Sequence, residues 1–185
     1  MTVLMLNGVL TSADEATVPA TDRALTHGLG LYETLKLMRG VPVFFEEHIA
    51  RLDLGLEELG LGRPATREEM AEQICRLSEA GDVPEGACRV LVTAGPPDGT
   101  PGLIIQTDRR AFPARPLRVI SYRGVRVRAQ LKAMTVMQSY LAQRAATAAG
   151  ADDAILVDEE GRVERIWRHV KADGHAAKVL AALES

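Results

Sequence analysis

Residues 32–59 read YETLKLMRGVPVFFEEHIARLDLGLEEL, and this stretch decides the fold class. Residues 32–38 are a β-prone run that stops at Arg39-Gly40, and residues 41–45 resume it, so a hairpin is expected. From residue 46 to residue 59 the apolar positions Ile49, Leu52, Leu56 and Leu59 recur at intervals of three and four, the spacing of a helix with one buried face. Glu46 and Glu47 suit the positive N-terminal end of that helix. A strand pair running directly into an amphipathic helix predicts a mixed α+β chain.

Upstream, the runs 3–6 and 9–10 flank Asn7-Gly8, the dipeptide that best supports a type I′ hairpin turn, and a polar stretch follows to about Asp22. Downstream, Thr66-Arg67-Glu68-Glu69 is a capping box for a second helix, whose inward stripe is Met70, Ile74 and Leu77 and which Gly81 closes. Residues 89–93 and 103–106 read as strands on either side of the turn-rich Gly95-Pro96-Pro97-Asp98-Gly99. The segment AFPARP from Ala111 to Pro116 carries two prolines in four residues, which forbids regular structure. A boundary there gives two expected parts: residues 1–112, a small N-terminal α+β domain, and residues 113–185, a partial C-terminal domain. In the second part, 117–121 and 125–128 are expected strands, 135–149 a helix ended by Gly150, and 154–157 a short buried strand before the turn Asp158-Glu159-Glu160-Gly161. No internal repeat is visible.

Composition limits the function classes. With 185 residues, 46% hydrophobic and 25% charged, the chain can bury a substantial core. Net charge is only −3 and the cations are scattered, apart from Arg115, Arg118, Arg123, Arg126 and Arg128. That cluster reads as an exposed strand pair, so no nucleic-acid partner is expected. Cys75 and Cys88 have neither a CxxC partner nor a histidine at ligand spacing, so no disulfide framework and no metal site are expected. Two thiols suit a reducing cytoplasm. No apolar run approaches the roughly 20 residues of a membrane span, and the N-terminus lacks the charged and apolar regions of a signal peptide.

Several segments together resemble one family. Asp22-Arg23 followed by GLGLYET at 28–34, GVPVFFEEHIARL at 40–52, RVLVTAG at 89–95, and LKAMTVMQSYLAQRAATAAG at 131–150 followed by ADDAILVDEEGRV are similar, in order and spacing, to the class IV aminotransferases and aminodeoxychorismate lyases. These are the fold-type IV pyridoxal-phosphate enzymes, which include branched-chain and D-amino acid aminotransferases. The likeness runs from about residue 3 to residue 163. It implies the two-part fold-type IV architecture, pyridoxal 5′-phosphate as cofactor, an amino acid or amino-acid-like substrate, and a homodimer.

Residue by residue, the resemblance implies that Lys132 forms the Schiff base with the cofactor aldehyde. Its apolar approach from Ala129 to Met134, with no adjacent acid, suits a nucleophilic amine. Arg51 is implied as the cofactor-phosphate residue, since a planar guanidinium can fork two hydrogen bonds onto a phosphate; a helix-surface pairing with Glu47 is the structural alternative. Because alternate strand residues face opposite ways, one of Tyr32 and Glu33 is expected to line the site, and Tyr32 is chosen with a substrate-binding role. Arg89 aligns with a position that helps some members hold a substrate carboxylate. Gly28 and Gly30 read as conformational residues, and His27 and His48 as packing or surface residues.

After Val163 the pattern departs. The family places a glutamate against the pyridine nitrogen and then a Gly/Ser/Thr-rich phosphate turn, whereas this chain reads Glu164-Arg165-Ile166-Trp167. Glu164 is assigned the cofactor-nitrogen role although it falls one residue early, and a shift of one reverses the face of a strand. Residues 164–185 are thus expected to be a divergent or truncated tail. Two functions follow: transamination or aminodeoxychorismate lysis through Lys132, or a non-catalytic relative that dimerises or binds a ligand.

Overall fold

The computed structural model describes residues 2–97, 99–112, 115–124 and 131–162. Asn7 and Gly8 both take positive φ, 50° and 83°, as a type I′ turn requires, and they join strand β1 (Val3–Leu6) to β2 (Val9–Ser12). Asp22 then caps a short helix, α1 (Arg23–His27), accepting from the Ala24 amide at 2.8 Å. The polar stretch gives no apolar signal for this element. Strand β3 (Gly30–Met38) follows, and Arg39 and Gly40 repeat the positive-φ turn at 52° and 77°.

The return strand β4 is only Val41–Pro42, shorter than expected, because the chain leaves the sheet at Phe44. Phe44 adopts φ 54° as the N-cap of helix α2 (Phe45–Glu58). Thr66 and Glu69 cap each other's backbone amides at 3.2 and 2.7 Å, and so start helix α3 (Arg67–Ala80) where the sequence pattern puts it. Strands β5 (Gly86–Thr93) and β6 (Gly102–Asp108) run longer than their apolar cores. The resulting antiparallel sheet has the order β2-β1-β6-β5-β3-β4.

One face of this sheet is covered by α2 and α3. Leu31, Leu35 and Leu37 of β3, Val90 and Val92 of β5 and Ile105 of β6 meet Ile49, Leu52 and Leu56 of α2 and Met70, Ile74 and Leu77 of α3. Each side chain buried in this way contributes about 1.5–3 kcal/mol. Gly55 lets α2 lie close on the sheet: a Cβ there would sit 2.7 Å from Leu31 Cδ1.

The chain forms two compact units. The first is Met1–Phe112 together with Leu131–Thr135, so the lysine segment lies with residues that precede it by about a hundred positions. The second contains β7 (Val119–Arg123), helix α4 (Met137–Ala148) and β8 (Asp153–Val157), with β7 and β8 parallel and joined through the helix. Helix α4 starts two residues later than expected because Leu131–Thr135 is diverted into the first unit. Its buried stripe is Ala142 and Ala146. Arg115 forks onto Asp152 at 2.9 and 2.7 Å, an ion pair that accounts for part of the basic cluster. The expected strand 125–128 lies outside the described residues. Among the described residues, no helix is long and apolar enough to cross a membrane, and no group of histidines, cysteines and carboxylates could hold a metal.

Candidate active site

Strand β3 alternates strictly: Leu31, Glu33, Leu35 and Leu37 face the helices and are buried, while Tyr32, Thr34 and Lys36 face the other way. Glu33 is therefore a carboxylate in an apolar layer, with no exposed surface at all. Its charge is met by a cluster from α2. Arg51 donates from Nε to Oε1 at 2.6 Å and from Nη2 to Oε2 at 2.5 Å, and His48 Nδ1 lies 2.8 Å from Oε2. The short distance to a carboxylate assigns the Nδ1 hydrogen to the Glu33 bond. Burial alone would push the Glu33 carboxyl up; the hydrogen bonds from Arg51 and His48, with their charges, outweigh it and hold the group below the ordinary range. The bond to Glu33 in turn pushes the Arg51 guanidinium up.

This arrangement changes two expectations. Arg51 pairs with Glu33 rather than with Glu47, and its side-on edge is taken up by that bond. His48, read as a packing or surface histidine, is a polar partner in the cluster. Glu33 and Tyr32 lie on opposite faces of β3, Glu33 toward Arg51 and Tyr32 toward the lysine segment.

On the other face, residues 131–135 are strapped along β3. Tyr32 N donates to Lys132 O at 2.7 Å, Met134 N donates to Gly30 O at 3.0 Å, and Leu31 bridges Ala133. The close approach depends on the two glycines of the GLGLYET run. A Cβ on Gly30 would lie 2.5 Å from Met134 Sδ and 2.7 Å from Val92 O, and one on Gly28 would lie 2.8 Å from Thr135 Cγ2. Gly28 also caps α1 in the left-handed region at φ 69°. Both are therefore conformational residues, with the specific task of admitting the lysine segment.

Tyr32 gathers the remaining residues. Lys132 Nζ lies 5.2 Å from the ring centroid and the Arg89 guanidinium 5.9 Å, both within cation–π range. Lys132 is half-buried rather than sealed from water. Tyr32, Lys132 and Arg89 thus stand together on one side of β3, while Arg51 meets Glu33 on the other. In the sheet, Arg89 stands between Thr34 and Gln106, a row of three polar groups beside Tyr32. Glu164 lies outside the described residues.

Other groups are poor candidates. Burial pushes the Cys88 thiol up to about 12, with Cys75 nearby adding to the effect, so Cys88 is no nucleophile at neutral pH. Asp22 and Arg23 are structural: Asp22 caps α1, and Arg23 Nη2 donates to Ala94 O at 2.6 Å, tying α1 to the end of β5.

The donor set fits pyridoxal phosphate. Among the described residues Lys132 has no ion pair, so its amine is uncommitted. Arg51 has five N–H donors; Nε and Nη2 serve Glu33, and Nη2 also lies 3.3 Å from His48 Nδ1, which leaves the two hydrogens of Nη1 for an anion. Tyr32 provides an aromatic wall beside the amine.

Comparison with known proteins identifies the family and the fold. A putative branched-chain-amino-acid aminotransferase of Methanocaldococcus jannaschii is 28% identical over 179 residues, which are 86% of this chain and 61% of that protein. The crystal structure of a putative 4-amino-4-deoxychorismate lyase from Legionella pneumophila superposes with a TM-score of 0.70 at 26% identity, covering 80% of this chain and 59% of the other. A branched-chain aminotransferase from Thermoproteus uzoniensis, crystallised with norvaline, gives a TM-score of 0.73 at 22% identity over 86% of this chain and 60% of the other, and so shares the fold. The chain spans about 60% of the length of these relatives. The model of the amino-transferase class IV family matches residues 30–164, a span that includes Tyr32, Arg51, Arg89, Lys132 and Glu164, and the chain belongs to that family with the fold-type IV architecture.

Proposed function

We propose that the chain is the cofactor-anchoring part of a pyridoxal-phosphate-dependent aminotransferase or aminodeoxychorismate lyase, acting on an amino acid or a similar amine. The observation that carries this reading is the strapping of residues 131–134 along β3, which brings the Lys132 amine over Tyr32. Lys132 would hold the cofactor through Nζ and, when released, shuttle the proton at the substrate α-carbon. Arg51 would bind the phosphate through the donors that Glu33 leaves free, with Tyr32 as a wall that limits water around the amine. Arg89, with Thr34 and Gln106 beside it, would take a substrate carboxylate. Glu164 is retained as the candidate acid for the pyridine nitrogen. Bound there, pyridoxal phosphate supplies an electron sink that the twenty side chains lack.

Dimer formation and a cytoplasmic location belong to the same proposal; free thiols at Cys75 and Cys88 suit the latter. One sequence feature favours the non-catalytic alternative: Arg165 stands where the family has its acid, and a guanidinium there would disfavour a protonated pyridine. Titration with pyridoxal phosphate separates the two. The catalytic reading expects a saturable visible absorbance band with the natural chain and none with Lys132→Ala. An identical response from both proteins would refute the assignment of Lys132.

A further inference from the structure

Arg51 is anchored by a fully buried strand residue. Glu33 sits in the middle of β3, which is hydrogen-bonded to β5 along most of its length, and its side chain is sealed beneath α2 between Leu31 and Leu35. It grips Arg51 by the edge made of Nε and Nη2, at 2.6 and 2.5 Å. The Arg51 side chain is still 35% exposed, and Nη1, which has no partner among the described residues, forms the edge open to a ligand, while Nη2 lies 3.3 Å from His48 Nδ1. A guanidinium on a flexible stem otherwise samples many rotamers, and a planar fork held on one edge loses that freedom before any ligand arrives. His48 completes the clamp by giving Glu33 Oε2 a further donor at 2.8 Å.

We infer that Glu33 is a positioning residue for anion binding: it fixes the plane of Arg51 so that the open edge meets a phosphate monoester. The inference rests on the assignment of Arg51 to the cofactor phosphate made above and adds the residue through which that contact is oriented.

Two physical pictures predict opposite signs. If Arg51 acted only as a point charge, removing the neighbouring carboxylate would strengthen its attraction for phosphate. If orientation dominates, removing the carboxylate weakens binding even though the site becomes more positive.

The test compares dissociation constants of pyridoxal 5′-phosphate and of pyridoxal, which has the aldehyde without the phosphate, for the natural chain, Glu33→Gln and Glu33→Asp. Glu33→Gln should weaken pyridoxal phosphate about tenfold and leave pyridoxal within about twofold. Glu33→Asp keeps the charge but is one methylene short, so it should give a smaller loss of the same phosphate-selective kind, and it carries the test if the glutamine variant folds poorly. Unchanged or tighter phosphate binding, or an equal loss for both aldehydes, would overturn the inference. Failure of the natural chain to bind either aldehyde would refute the underlying cofactor assignment, and this inference with it.

Discussion

A carboxylate on the inward side of a strand must bring its partners with it, and Glu33 shows what that requires. Its alternation with Leu31, Leu35 and Leu37 makes its burial legible in the sequence. The partners are not, because they depend on how α2 is rotated about its axis when it docks; Arg51 flanks the apolar stripe, and its reach to β3 follows only from that docking. The cluster has a pH consequence. The Glu33 carboxyl is held below its ordinary 4.5, so its contribution to stability is complete above that value and disappears as pH falls through the lower folded-state value. Breaking a fully buried pair costs about 3–5 kcal/mol, and about 2–3 kcal/mol is expected here because Arg51 is partly exposed. Urea denaturation from neutral pH down to about pH 3 should therefore show a steeper acid loss for the natural chain than for Glu33→Gln. Parallel profiles would contradict the lowered carboxyl.

Among the elements, the two hairpins and the capping box of α3 are legible because each is specified locally, by Asn7-Gly8, Arg39-Gly40 and Thr66 with Glu69. The lysine segment is not. Its apolar pattern runs on into α4, and only tertiary pairing with β3 removes residues 131–135 from that helix. The glycines at 28 and 30 are the available signal, but a glycine shows that something must come close without showing what. Gly30→Ala tests the strap as an element: its Cβ would meet Met134 Sδ at 2.5 Å and the Val92 carbonyl at 2.7 Å, and backbone cannot yield as a side chain can. The variant should fold, with a loss of about 1–3 kcal/mol, and should take up pyridoxal phosphate roughly tenfold more weakly than the natural chain. Unaltered uptake would show that Lys132 does not depend on this seat.

For the whole molecule, the first break between the two compact units falls within the proline-containing segment at 111–116, and nothing local signals the return of residues 131–135 to the first unit. Apolar side chains remain open on both units. Ile155 is 44% exposed beside buried Val157, and Leu25 and Phe44 are 65% and 52% exposed. Burying such groups in a symmetric interface is the common solution, and the proposed dimer predicts a light-scattering mass near twice the 20.0 kDa of one chain. A monodisperse 20.0 kDa species would contradict it.

All of the proposed chemistry depends on the amine held over Tyr32 being the one that reacts. Reduction of the pyridoxal-phosphate-treated protein with borohydride, followed by peptide mapping, tests this directly. A single phosphopyridoxyl label on Lys132, lost when free phosphate competes for Arg51, is the expected result. Label spread over several lysines, or confined to any lysine other than Lys132, would contradict it.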